Sequence, residues 1–203
     1  MVQGLHNSIS FDQFIAWKPE DGRYELRNGV IVEMQPTGMH EEVTGFLISE
    51  LTFQVRILEL PFFPPKQALI KSPTEENSAY LPDVLFVDRR ELPFEPYWEK
   101  ASTLTRGASI PIVVEVVSTN WRDDYLKKFA DYEEMGIQEY WIADYRGLGG
   151  RRHIGSAKQP TLSVCNLVDG EYQITQFRDR DRIISSIFPG LQLTADQVLR
   201  AGQ

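Results

Sequence analysis

The sequence predicts an α/β fold: a mixed central β-sheet flanked by helices, with a β-hairpin near the N-terminus and a β-meander near the C-terminus. Three observations carry this. The run IPIVVEVVS, residues 110–118, is apolar and β-branched almost throughout, as suits a central strand covered on both faces. A helical stretch and a second strand-like run, QEYWIAD, follow at the spacing of a βαβ unit, whose crossover is right-handed. The dipeptide Asn28-Gly29 lies between RYELRN and VIVEMQ, where a two-residue hairpin turn needs φ > 0 at both positions.

The remaining elements follow in order. Ser10 is placed to N-cap a short helix, FDQFIAW, with Phe11, Phe14 and Ile15 on one side. After the hairpin, residues 39–60 repeat Val43, Phe46, Leu47, Leu51, Val55 and Leu58 at helical spacing, broken at Glu50 and stopped by Pro61. PPKQALIK reads as a strand, PTEENSAY as a loop and PDVLFVD as a short buried strand. Residues 88–108, with Pro93, Pro96 and Gly107, read as a surface excursion. The helix of the βαβ unit spans Asp123 to Met135 and ends at Gly136, an expected C-cap. RRHIG, TLSVCNLV, EYQITQF and DRIIS, with an Asp169-Gly170 turn, give the meander, and TADQVLRA a closing helix capped by Thr194.

With 203 residues, a single domain over 1–203 with a core able to fold unaided is expected. No stretch reaches the ~18–20 apolar residues of a membrane span. The opening MVQGLHNSIS has neither a basic region nor an apolar run, so a secretory signal is not expected. The single Cys165 sits in an alternating run as a buried, reduced thiol, which makes a cytoplasmic location the default. A net charge of −8 argues against a protein that holds DNA mainly through its phosphates. It is compatible with a chain that clusters carboxylates at one site and confines basic residues to one face.

Glu115 interrupts IVVEVV, where both flanks call for burial. A buried carboxylate must be protonated, paired with a base or bound to a cation, because leaving it bare costs several kcal/mol. Asp83 opens DVLFVD after Pro82 and has a turn or strand-start role as its plain alternative. Two carboxylates on neighbouring strands can converge on a hard divalent ion such as Mg²⁺. In the helix, Tyr125, Phe129, Tyr132 and Gly136 form the stripe facing the sheet. Lys128 lies roughly 70° from its middle and Lys127 roughly 170° away, in solvent. Lys128 can therefore deliver its ammonium to the sheet's rim, with Asp124 one turn before it; the alternative is an ordinary surface pair.

The segments RYELRNGVIVEM, PDVLFVD and VVEVVSTNWRDDYLKKFADYEEMGIQEYWIAD resemble the Uma2 family, common in cyanobacteria and part of the PD-(D/E)xK nuclease superfamily. The resemblance runs from about Tyr24 to Asp144. It rests most specifically on Glu115, Ser118, Asp124, Lys128, Tyr132, Gly136 and the Glu139-Tyr140-Trp141 triplet. It implies a restriction-endonuclease-like core and a metal-dependent nuclease. Asp83 and Glu115 would hold Mg²⁺ or Mn²⁺, Lys128 would assist the attacking water, and Glu25 would join the site. His40 matches a histidine at the head of the family's long helix, with a purely structural role the favoured reading. Val117 stands where many superfamily members carry the lysine, so Lys128 is the substitute. The implied partner is nucleic acid, DNA first, and a homodimer would suit an enzyme that cuts two strands.

RGLGGRRH reads as a flexible basic hairpin whose Arg146, Arg151 and Arg152 could touch phosphates or simply be solvated. It lacks the Gly-Lys-Ser/Thr ending of a P-loop. Trp98, Trp121 and Trp141 read as packing residues. Two other classes stay open: a binding module that keeps the fold without turnover, and a structural protein. The latter would show a buried Glu115 paired to a base with no cleft beside it.

Overall fold

A computed structural model describes residues 8–19 and 21–202; most of the N-terminal stretch read for a leader lies outside them. Ser10 caps α1 (Phe11–Trp17) through a capping box with Gln13. Strands β1 (Tyr24–Arg27) and β2 (Val30–Glu33) pair antiparallel around Asn28 and Gly29, whose φ of 50° and 75° give the predicted turn. Helix α2 (Gly38–Ile57), capped by Thr37, buries Val43, Leu47, Leu51 and Val55, the predicted face.

Strands β3 (Phe62–Phe63), β4 (Leu69–Lys71), β5 (Ala79–Tyr80) and β6 (Val84–Asp88) follow. Then come α3 (Trp98–Ala101), β7 (Thr103–Leu104) and the fully buried β8 (Ile112–Val116). A π-helical turn, Asp123–Lys127, leads into α4 (Lys128–Met135), which ends at Gly136 with φ of 81°, a left-handed C-cap. Strand β9 (Glu139–Asp144), α5 (Arg151–Ile154), β10 (Thr161–Val168), β11 (Glu171–Phe177) and α6 (Ala195–Leu199) complete the order.

The strands form two sheets, both mixed. The larger runs β11-β10-β9-β8-β6-β3, with β8 and β9 parallel and β6 antiparallel to β8, which realises the βαβ unit. The smaller runs β2-β1-β5-β4-β7. The hairpin is therefore the edge of a second sheet. The segment read as a surface excursion supplies β7, which pairs with β4 and buries Thr103 and Leu104. Its pairing partner lies more than thirty residues back, so local composition showed only the prolines. Near the C-terminus, β9, β10 and β11 make the meander, while Arg151–Ile154 is helical and the DRIIS segment makes only an isolated bridge, Arg182 to Thr194.

Alternation along β8 decides where the site sits. Ile112, Val114 and Val116 join the core beneath α2 and α6, with Trp141, Leu162 and Phe188. Val113 and Val117 join the core on the opposite side, with Tyr125, Tyr132 and Tyr140. Side chains on a strand alternate between faces, so Glu115 points with Val113 and Val117 toward α4.

Candidate active site

Glu115 is 1% exposed, and both of its oxygens are used. Oε2 lies 2.9 Å from Lys128 Nζ, and Oε1 accepts a 2.8 Å hydrogen bond from the Tyr132 hydroxyl. Lys128, 2% exposed, also lies 3.3 Å from Glu25 Oε1 and 3.7 Å from Asp124 Oδ1. Lys128, expected at the border of the sheet-facing stripe, is instead buried in a stripe with Asp124 and Asp131. That stripe faces the smaller sheet, where Asp131 accepts hydrogen bonds from Tyr80 and Thr74. Lys127, expected in solvent, instead reaches Glu75 of the same region at 3.0 Å.

The π-helical turn sets this register. The Lys128 N–H donates to the Asp123 carbonyl, one residue further back than in an α-helix. The Asp124 carbonyl, which an α-helix would give to Lys128, accepts a 2.9 Å hydrogen bond from the Tyr140 hydroxyl. Asp123 and Asp124 thereby both turn inward, Asp123 onto Arg27 and Asp124 onto Lys128.

Glu25 is wholly buried on β1. Its Oε1 accepts from the Leu81 N–H at 3.1 Å and its Oε2 from Arg27 at 2.6–2.8 Å, so it ties the hairpin to the segment before Asp83. Asp83 makes no direct ion pair with Lys128 and no hydrogen bond to Glu115, although the three border one cavity. Its Oδ2 accepts from the Val116 N–H at 2.9 Å and lies 3.1 Å from His40 Nε2, and its Oδ1 lies 3.4 Å from Arg23. The same His40 nitrogen lies 3.1 Å from the Val116 carbonyl oxygen. His40, read from sequence as a plain helix-end residue, thus sits against Asp83. Its partner lies 43 residues away, beyond any spacing rule. Tyr132 and Arg27 were likewise missed, although Tyr132 sits one turn past Lys128 on the helix.

Asp83, Glu115, His40, Asp124 and Lys128 border one small cavity of about 40 Å³. Burial, with the charges of Asp83 and Glu25, pushes Glu115 up to about 7 against the pull of Lys128. Burial, with Glu115, Asp83 and Glu25, raises Asp124 well above the carboxylate range. Burial acts to strip Lys128 of its proton, but Glu115, Glu25, Asp124 and Asp83 outweigh it and hold the ammonium charged. Burial also acts to raise Asp83, yet the hydrogen bond and charge of His40 keep it below its ordinary value. His40 is raised in turn, Asp83 outweighing the burial that acts to lower it. Lys128 is not alone in balancing these carboxylates: Arg27 pairs with Glu25, and Arg23 and His40 lie against Asp83.

Asp83 Oδ2 and the Val116 carbonyl both converge on one His40 nitrogen, so two oxygen acceptors already face a position that favours positive charge. Among the described residues no three His, Cys, Asp or Glu side chains form a ready metal cage. A donor set of Asp83, Glu115 and water suits Mg²⁺, which keeps several waters and takes one or two carboxylates. The cavity exceeds the ~10–15 Å³ that one water needs.

The basic loop is not a hairpin. The Asp144 carboxylate accepts from the Leu148 and Gly149 N–H groups at 2.9 and 2.7 Å, fixing a turn before α5. His153 then packs against Tyr125, with ring centroids 4.9 Å apart.

A mixed sheet in which β8 sets Glu115 against Lys128 of α4, with Asp83 directly before β6, is an architecture of the restriction-endonuclease-like class. Residues 11–196 match the family Uma2, described as "Putative restriction endonuclease", and the chain belongs to that family. Its fold is similar to that of a protein from Anabaena variabilis described as "a putative nuclease belonging to DUF820". The TM-score is 0.70 at 16% identity, over 96% of this chain and 99% of that one. No curated protein matches the chain.

Proposed function

We propose that the protein is a divalent-metal-dependent nuclease that hydrolyses phosphodiester bonds, with DNA as first substrate and Asp83, Glu115, Lys128 and Glu25 as its centre. The observation that carries this reading is the buried Lys128 ammonium held between Glu115 and Glu25 on the cavity that Asp83 borders, in a chain of the Uma2 family. Asp83 and Glu115 would hold Mg²⁺ or Mn²⁺, which when bound acidifies a water and polarises the scissile phosphate.

Lys128 is a charged donor toward phosphoryl oxygens or the attacking water, and its fixed position costs no reorganisation as charge develops. Tyr132 orients Glu115, and His40 with the Val116 N–H orients Asp83. Glu25 holds Lys128 in place and is the second carboxylate beside it.

The test is cleavage of a labelled oligodeoxynucleotide by purified protein. The wild type cuts in Mg²⁺ or Mn²⁺ and stops in EDTA, while Glu115→Gln and Asp83→Asn lose at least about a hundredfold. Cleavage that survives either substitution would sink the assignment.

A second reading has its own support. Glu115 is buried and paired to a base, half of what a structural protein would show. The other half, a closed surface, is absent: a groove of about 330 Å³ adjoins the site and shares His40 and Asp83 with its cavity. Failure both to bind an oligonucleotide and to cleave it with added metal would favour this second reading.

A further inference from the structure

The groove beside the site has a form and a charge that select the strandedness of a substrate, an inference that rests on the nuclease reading. It is continuous with the site cavity, since Met34, His40, Asp83, Ser118 and Asn120 line both. The groove measures about 330 Å³ and the cavity beside it about 40 Å³, and Glu115 and Lys128, which border the cavity, are only 1% and 2% exposed. A reacting phosphate therefore has to pass from the groove into a recess. The backbone of a duplex is a ridge locked to its stacked bases, which lies against a surface; a free strand has no such constraint and can thread a slot.

Charge points the same way. Duplex binders engage on the order of 6–10 phosphates, commonly with a basic face. This chain carries a net charge of −8, and the groove lining holds only two arginines, Arg23 and Arg146. Arg23 is already engaged by Asp83 at 3.4 Å and Glu41 at 3.7 Å. Arg146 is exposed and, among the described residues, makes no ion pair. It stands at the start of the turn that Asp144 fixes, so its backbone is held at the rim of the groove.

We infer that this groove binds a single polynucleotide strand, with Arg146 gripping a phosphate next to the one that enters the recess. Ser118 and Asn120, exposed on the loop that follows β8, supply hydroxyl and amide partners along the same wall.

The experiment pairs binding with cleavage. Fluorescence anisotropy with a labelled oligodeoxynucleotide is measured in EDTA, so that binding is read without turnover, as a single strand and annealed to its complement. The wild type binds the single strand at least about tenfold tighter than the duplex, and Arg146→Ala weakens strand binding about tenfold. Arg56→Ala is the control: it removes one exposed arginine at the far end of α2, roughly 24 Å from His40. It leaves binding unchanged. Circular dichroism confirms that both variants fold.

With Mg²⁺ added, Arg146→Ala raises KM and leaves kcat near its wild-type value. Equal binding of strand and duplex, or an Arg146→Ala protein that binds like the wild type, overturns the proposal. A strand that binds with the Arg146 dependence but is never cut supports the groove while removing the hydrolytic reading. Duplex cut as fast as single strand removes the groove and leaves that reading standing.

Discussion

Lys128 is the cation on which the charge balance of the site turns. Three carboxylates, Glu115, Glu25 and Asp124, lie within 4 Å of it, all buried. Lys128→Met should therefore destabilise the protein by about 3–5 kcal/mol near neutral pH, since it strands buried charge. The loss should depend on pH with a definite sign. Glu115 and Asp124 have raised values in the folded state, so the fold binds more protons than the unfolded chain between their two ranges. Stability that depends on those protons is present at low pH and is lost as pH rises through the folded values. Urea unfolding of Lys128→Met should show a smaller deficit at about pH 5 than at about pH 8. The same proton competes with a metal: Mg²⁺ affinity should climb about tenfold per pH unit below 7 and level off above it, as calorimetry can show.

At the scale of elements, the π-helical turn is the device that aims α4. Its wide ring frees the Asp124 carbonyl for the Tyr140 hydroxyl and brings Asp123 and Asp124 inward together. Extra residues of this kind recur at functional sites because they rotate one part of a helix against the next. Deleting the exposed Leu126 should let the turn relax to a regular helix. The product should fold, by circular dichroism, but lose the Asp124–Lys128 and Asp123–Arg27 contacts and fall at least about tenfold in cleavage. Tyr140→Phe, which removes only the hydroxyl, should cost about 1 kcal/mol of stability.

The elements also mark how far the sequence could be read. Glu115 was legible because β8 is otherwise apolar and β-branched, so its carboxylate had no plain explanation. Lys128 was legible by helical phase, since the stretch from Lys128 to Met135 is regular. Its depth was not legible, because the reading assumed one sheet, whereas α4 lies between two. The second sheet is assembled from short strands of two to four residues, too short for a periodic signal. His40 and Arg27 belong to the site through contacts across 43 and 96 residues, which no local pattern encodes.

For the whole molecule, an acidic chain gathers Glu25, Glu115 and Asp124 around one buried lysine, and the groove beside them is lined by two arginines. Among the described residues no helix is long and apolar enough to cross a membrane. If one or two phosphates are neutralised on binding a strand, raising salt from about 50 to about 200 mM should weaken binding only about 2- to 7-fold. A thousandfold loss would mean that many more phosphates are engaged than the groove can reach. In the core beneath α2, Leu51→Ala, at a wholly buried position, should cost about 2–5 kcal/mol.

The central claim is that Asp83, Glu115 and Lys128 form one metal-dependent site, and Mn²⁺ located by anomalous diffraction in soaked crystals tests it most directly. The account predicts a peak in the cavity bordered by Asp83 and Glu115, with Lys128 beside it, and its loss in Asp83→Asn. An empty cavity at millimolar Mn²⁺, with the Lys128–Glu115 pair undisturbed, would contradict it.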